Sequence, residues 1–198
     1  MKKELPYFNI ESSFGGNQSW FKDPMMYLGG CGAAVACDSC INMALHNNKT
    51  HLYPYDIRQL DRKDYIKFSK VMKPYLSPRM HGIDTLDALI EGFDQYLKAV
   101  GEEEIKLTGC PGDTPVLDAA GKIISQIDRG VPIPVLMLKH KNVNFKDLVW
   151  HWFMLVGYEE FENEFYVKIA TYGESHWLSF PELWETGFSR KGGMILID

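Results

Sequence analysis

Leu28-Gly29-Gly30-Cys31-Gly32-Ala33-Ala34-Val35-Ala36-Cys37 is the stretch on which the reading of this chain turns. Its paired glycines allow a tight turn and a close approach of backbone to ligand. The small apolar residues after Cys31 read as the start of a buried helix. A cysteine there faces unpaired N–H groups and the positive end of the helix dipole, both of which favour an anion. The expected anion is a thiolate, with a pKa below the usual value of about 8.5. The same N–H groups suit an oxyanion. The stretch therefore points to a cysteine nucleophile.

Working outward, the helical pattern runs from Cys31 to about His46, with Ala34, Val35, Ile41, Ala44 and Leu45 as its apolar positions. Residues 1–28, rich in Gly, Asn, Ser and aromatics, read as irregular. Tyr65, Phe68, Val71 and Met72 predict a helix over Arg62–Tyr75, bounded by Pro74 and Pro78. Leu86, Leu89, Ile90, Phe93 and Leu97 predict another over Asp84–Val100, closed by Gly101. Glu104–Thr108 reads as a short extended piece. Thr114 as cap and Pro115 as first residue predict a fourth helix, ending at Gly130.

After Gly130 the pattern turns to strands: Val131–Leu138, Trp150–Glu159, Phe165–Thr171 and Gly193–Ile197, with Glu160–Glu164 as a polar hairpin connection. Helices first and antiparallel strands later predict an α+β fold, its helical half on one side of a sheet. No repeat or linker divides residues 1–198, so one domain is expected.

The 198 residues carry 21 basic and 26 acidic side chains, a net charge of -5 that disfavours nucleic acid as a main partner. No apolar run reaches membrane-spanning length. Lys2 and Lys3 are not followed by the apolar stretch of a secretion signal, so a cytoplasmic location is expected. The four cysteines, Cys31, Cys37, Cys40 and Cys110, are then expected as thiols. Cys37-Asp38-Ser39-Cys40 has C-x-x-C form but falls inside the helix. Only His46, His51 or Cys110 could complete a zinc site there, so both cysteines read as small buried apolar side chains. Glu102-Glu103-Glu104 reads as a solvated turn, and Lys139-His140-Lys141-Asn142 as an exposed loop able to cover a cleft.

A cysteine nucleophile needs a base. Of the six histidines (His46, His51, His81, His140, His151 and His176), His151 is best placed. In Trp150-His151-Trp152-Phe153-Met154-Leu155-Val156-Gly157-Tyr158 it opens an otherwise apolar strand, where a rigid backbone can aim the ring into a cleft. His176 is a weaker second choice.

Gly30-Cys31-Gly32-Ala33-Ala34 at a helix start, with His151-Trp152 and Gly157-Tyr158 far downstream, resembles the papain-like cysteine peptidases. The nearest type is the bacterial bacteriocin-processing, or double-glycine, peptidases and their stand-alone relatives. The resemblance covers residues 17–45 and 150–190. It implies a papain-like fold in which the nucleophile helix packs against the later sheet. It also implies an oxyanion donor upstream of Cys31, which falls on Gln18, with Asn17 as substitute. In Lys168-Ile169-Ala170-Thr171-Tyr172-Gly173, the Asn or Asp that orients the base in this family falls on Ala170. Thr171 is the expected replacement, with Glu174 or a backbone carbonyl behind it.

The resemblance implies acyl transfer from a peptide or small amide through a Cys31 acyl-enzyme, with no metal or organic cofactor. Two other readings stay open: a papain-like binding module whose site is silent because of Ala170, and an acyltransferase using the same pair. Oligomeric state is not legible.

Overall fold

In the computed structural model, which describes residues 1–79 and 82–198, the helix that begins at Cys31 lies between further helices and one large antiparallel sheet. The elements, in order, are β1 Lys2–Glu4, β2 Asn9–Ile10, β3 Ser13–Phe14, α1 Pro24–Gly29, α2 Cys31–His46, α3 Arg62–Met72 and α4 Leu86–Ala99. There follow β4 Leu107–Pro111, α5 Val116–Asp128, β5 Ile133–Met137, β6 His151–Phe161, β7 Glu164–Thr171, β8 Glu174–Ser179, α6 Phe180–Trp184 and β9 Gly193–Ile197. The α+β class follows directly.

The sheet runs β4-β9-β5-β6-β7-β8, and every neighbouring pair is antiparallel. The long strand β6 is its spine. One edge of β6 pairs with β7 from Met154 to Phe161. The other edge pairs with β5 over its first half (Met137 opposite His151) and with β1 over its second (Lys3 opposite Tyr158). The start of β6 is thus held along one edge by β5, with His151 opposite Met137.

Strand alternation divides the core in two. Trp152, Met154, Val156, Leu136, Ile195 and Ile197 face α2, α3 and α4. Phe153, Leu155, Val135, Met137, Ile169 and Met194 face α5 and α6. Helices therefore cover both faces, not one. The alternation along Ile133–Met137 is what a strand buried on two sides produces, since all five of its residues are buried.

Several expectations are corrected. Residues 1–28 are not irregular throughout. They hold three short strands and α1, whose cap Asp23 accepts hydrogen bonds from the Met25 and Met26 N–H groups (both 3.0 Å) ahead of Pro24. The fourth helix is capped at Pro115 with no side-chain bond. Thr114 instead accepts from the Cys110 thiol (3.5 Å) and offers its carbonyl to the Trp184 indole (2.8 Å). Glu104–Thr108 gives way to β4 at Leu107–Pro111, and β8 and α6 had no reading from the sequence.

Glu102 is not solvated. It is 4% exposed, and it meets Lys49 Nζ at 3.0 Å and His51 Nε2 at 3.0 Å. Burial works to raise its pKa, but the Lys49 ammonium and the Glu104 N–H together hold it below the usual range. The Lys139–Asn142 loop is tied down by His140, whose Nδ1 accepts the Asn142 N–H (2.9 Å) while its Nε2 donates to the Glu182 carbonyl (2.9 Å). The loop lines no part of the site described next.

Candidate active site

Cys31 is the first residue of α2. Gly30 joins α1 to α2 with φ −85°, so it supplies no left-handed turn. Its role is close approach, because a Cβ there would overlap the Met26 carbonyl oxygen and press on Phe21. The Gly30 N–H closes α1 onto Met26 O (2.8 Å), and Gly30 O opens α2 by accepting from Ala34 (2.9 Å). One residue is therefore shared by two helices, and it sets the angle at which Cys31 is presented.

Cys31 and His151 line one small cavity of about 20 Å³, together with Gln18, Asp38, Trp152, Ala170, Thr171 and Tyr172. That volume holds about one water. Both key side chains are 6% exposed. The Cys31 sulfur has the N–H groups of Trp152, Gly32 and Cys31 itself around it, each favouring thiolate. Burial outweighs them, so the thiol pKa is raised, not lowered as expected from the helix terminus. Dipole and N–H groups act on a charge that this enclosed site makes costly to form.

His151 opens β6 directly after Trp150, which sits at φ +54° and donates its N–H to Leu138 O (3.0 Å). A left-handed backbone at a bulky residue costs on the order of 1–3 kcal/mol and marks the turn that aims the next side chain. Trp152 then anchors the strand through its indole N–H to Ile83 O (2.6 Å).

The imidazole has two partners. Its Nε2 lies 2.7 Å from Thr171 Oγ1. Tyr172 stacks on the ring at 4.5 Å and 5°, with its hydroxyl 3.4 Å from Nδ1. A hydroxyl donating to Nδ1 leaves the proton on Nε2, which donates to Thr171. Nδ1 is then the basic nitrogen. Burial lowers the His151 pKa to about 4, so the closed site holds a neutral thiol beside a neutral imidazole.

Tyr172 occupies the first central position of the hairpin between β7 and β8, with φ +51° followed by Gly173 at +81°. The N-terminal segment pins this turn: Asn17 Nδ2 donates to Tyr172 O (2.8 Å) and Phe14 N to Gly173 O (2.8 Å). Gln18, beside Asn17, borders the Cys31 cavity. Its Nε2 donates to Tyr27 O (2.8 Å), while its Oε1 has no partner among the described residues. An amide nitrogen carries two hydrogens, so a second donor is left for an oxyanion.

Other candidates lie elsewhere. His176 is exposed on β8, 3.4 Å from Glu174, and lines an open groove of about 1050 Å³ with Asp147, Thr171 and Tyr172. Glu174 takes no part in holding His151. Cys37 and Cys40 are fully buried in α2, their thiols pushed well up by burial. Among the described residues no group of three or more His, Cys, Asp or Glu side chains is arranged to hold a metal ion, and no helix is long and apolar enough to cross a membrane. His81 lies outside the described residues.

Reasoning from the sequence missed two residues of the site. Asp38 lies seven positions after Cys31, on the same helical face, and is buried. Its signal was a lone carboxylate in an otherwise apolar helix. Tyr172 was noted only as an alignment mark. No protein-family model matches the chain, and no curated protein matches it at a significant level.

Proposed function

We propose that this chain is a papain-like thiol hydrolase that cleaves a peptide or other amide bond, nearest in type to stand-alone bacteriocin-processing peptidases. One observation carries the reading. A cysteine at the start of a buried helix and a histidine at the mouth of a strand share a cavity, and the histidine's far nitrogen is held by a hydroxyl 2.7 Å away.

The chemistry follows from that arrangement. Cys31 Sγ passes its proton to His151 Nδ1 and attacks the carbonyl carbon, whose π electrons move to oxygen. The oxyanion accepts from the Cys31 N–H and the Gln18 amide, each worth about 3 kcal/mol of barrier. Collapse breaks the C–N bond as His151 returns the proton to the leaving amine. Water, deprotonated by the same imidazole, then releases the acyl group as an acid and restores the thiol. The Thr171 hydroxyl keeps the ring in the productive tautomer, a weaker hold than a carboxylate gives. Substrate reaches the pair once Tyr172 leaves its stack. The groove of about 1050 Å³ beside that residue has room for the substrate.

A second reading, a papain-like module with a silent site, is favoured by Ala170 and by the enclosed, uncharged state of both groups. Low concentrations of iodoacetamide near neutral pH, with the modified thiols identified by mass, separate the two. The hydrolase reading expects Cys31 to react at least about tenfold faster than Cys37, Cys40 and Cys110, and His151→Ala to slow it. Equal rates at all four thiols would remove the hydrolase. A peptide library with added amines, read by product mass, then tells transfer to water from transfer to an amine.

A further inference from the structure

The mechanism makes no use of the most deeply buried carboxylate of the site. Asp38 is 6% exposed and lines the Cys31–His151 cavity. Three donors from three separate segments converge on it. Tyr7 Oη donates to Oδ2 (2.8 Å), Tyr65 Oη of α3 to Oδ1 (2.8 Å), and the Gly16 N–H to Oδ2 (3.2 Å). None of the three is a cation. A carboxylate held only by neutral donors in an apolar helix is a costly element, and such donors are worth most when the group is ionised.

The Gly16 bond is the informative one. Gly16 has space for no side chain, since a Cβ would fall on the Tyr65 hydroxyl. The next residue, Asn17, caps the turn Gln18–Trp20 by accepting from the Ser19 N–H (2.9 Å), and its Nδ2 donates to Tyr172 O. Gln18 follows as the candidate oxyanion donor. The loop seated on Asp38 thus carries, within two residues, both the amide that faces the cavity and the tie to the ring stacked on His151.

We infer that Asp38 is a positioning residue: its ionised carboxylate seats the Gly15–Gln18 loop, and through that loop fixes Gln18 and the Tyr172 turn against the Cys31–His151 pair. The inference rests on the acyl-transfer reading for its purpose, but the seating itself is measurable without turnover.

Burial drives the Asp38 pKa up, while the Tyr65 and Tyr7 hydroxyls and the Gly16 N–H pull it down, leaving it at about 6. The titratable groups around it are Tyr7, Tyr65 and Cys37, all held neutral by burial to well above their ordinary values, with His151 across the cavity. Of these, only Asp38 and His151 change charge below pH 8. A protonated Asp38 can accept fewer of the three donors, so the loop loosens as pH falls below about 6.

The test is amide hydrogen exchange of the full chain, read by mass on peptides spanning 14–21, α2 and β6. In Asp38→Asn the charge is gone, and the Gly16 N–H shares a neutral amide oxygen with the Tyr7 hydroxyl, so its bond weakens. Exchange over residues 16–20 is expected to quicken about five- to thirtyfold at pH 7.5, the difference between a hydrogen bond to a charged group and one to a neutral group. The wild type should show the same quickening, after correction for intrinsic rates, between pH 7.5 and 5, whereas Asp38→Asn should be flat. Tyr65→Phe keeps the Gly16 bond and removes one donor, so its midpoint should move to higher pH.

Wild-type protection of residues 16–20 in Asp38→Asn would overturn the inference. So would quickening spread evenly through α2 and β6, because the carboxylate would then hold the fold and not the loop. If alkylation finds no activated Cys31, the hydrolase fails while the exchange result stands or falls by itself.

Discussion

His151 and Asp38 share a cavity but pull stability in opposite directions as pH changes, and the size of each pull can be worked out. Burial lowers the His151 pKa from its ordinary 6.5 to about 4. Between those values the unfolded chain holds a proton that the folded chain refuses. The stability gained by keeping the ring neutral is whole above pH 6.5 and is lost as pH falls to about 4. At 1.36 kcal/mol per pH decade the loss is about 3 kcal/mol. Burial raises the Asp38 pKa from 3.8 to about 6. There the folded chain holds the proton and the unfolded chain releases it. That stability is whole below pH 3.8 and is lost as pH rises to about 6, again about 3 kcal/mol.

Over pH 4 to 6 the two terms therefore cancel to within about 1 kcal/mol in the wild type. Replacing either group by a non-titrating one uncovers the other. His151→Gln should lose about 2 kcal/mol of unfolding free energy between pH 4 and 6, and Asp38→Asn should gain about 3 kcal/mol over pH 4 to 6.5. The assay is urea unfolding followed by circular dichroism at half-unit pH intervals. The carboxylates whose pKa values are lowered, such as Glu4, Asp23 and Asp56, act alike in all three proteins and drop out of the differences. Parallel profiles for the wild type and both variants would refute the reasoning, since they would mean that neither group is buried as described.

Three further outcomes are expected. Thr171→Val keeps the shape of residue 171 but removes the hydroxyl 2.7 Å from His151 Nε2, leaving a buried N–H unpaired. It should cost about 1–3 kcal/mol in urea unfolding and slow Cys31 alkylation toward the His151→Ala rate. Tyr172→Ala removes the ring stacked on His151, so alkylation of Cys31 should quicken while that of Cys37 and Cys40, sealed within α2, stays unchanged. Glu102→Ala leaves Lys49 and His51 without their shared buried partner and should cost about 2 kcal/mol of stability, less in high salt.

What was legible in the sequence was what local periodicity and caps encode. Cys31 as the first residue of α2 and Gly193–Ile197 as a strand were both read to the residue. The start of α5 was displaced by one residue because Thr114 bonds Cys110 and Trp184 and not the helix start. β8 escaped because its pattern is half-exposed throughout, so alternation gives no contrast. Helices on both faces escaped for a related reason. Periodicity marks the buried stripe of α5 without saying which side of a sheet it meets.

Cys31, His151, Gln18 and Thr171 border one cavity, a juxtaposition that the order of the residues could suggest, but its electrostatics were not legible. The lowered thiol pKa did not follow, because the argument from the helix terminus counts the dipole and N–H groups but not desolvation, which is decided by Tyr172 and Trp152 from 120 or more residues away. The same cover disfavours charge on both partners, so the thiolate–imidazolium pair is suppressed while Tyr172 stays stacked. Moving that ring admits water and lowers the cost of both charges together. In a site built this way the rate of Cys31 alkylation follows how often Tyr172 leaves its stack. The tip of the hairpin that carries Tyr172 is bonded to Phe14 and to Asn17, the latter on the loop that Asp38 seats. On the proposed reading, reactivity at Cys31 follows the order of a segment that lies beside the Cys31–His151 cavity and carries Gln18.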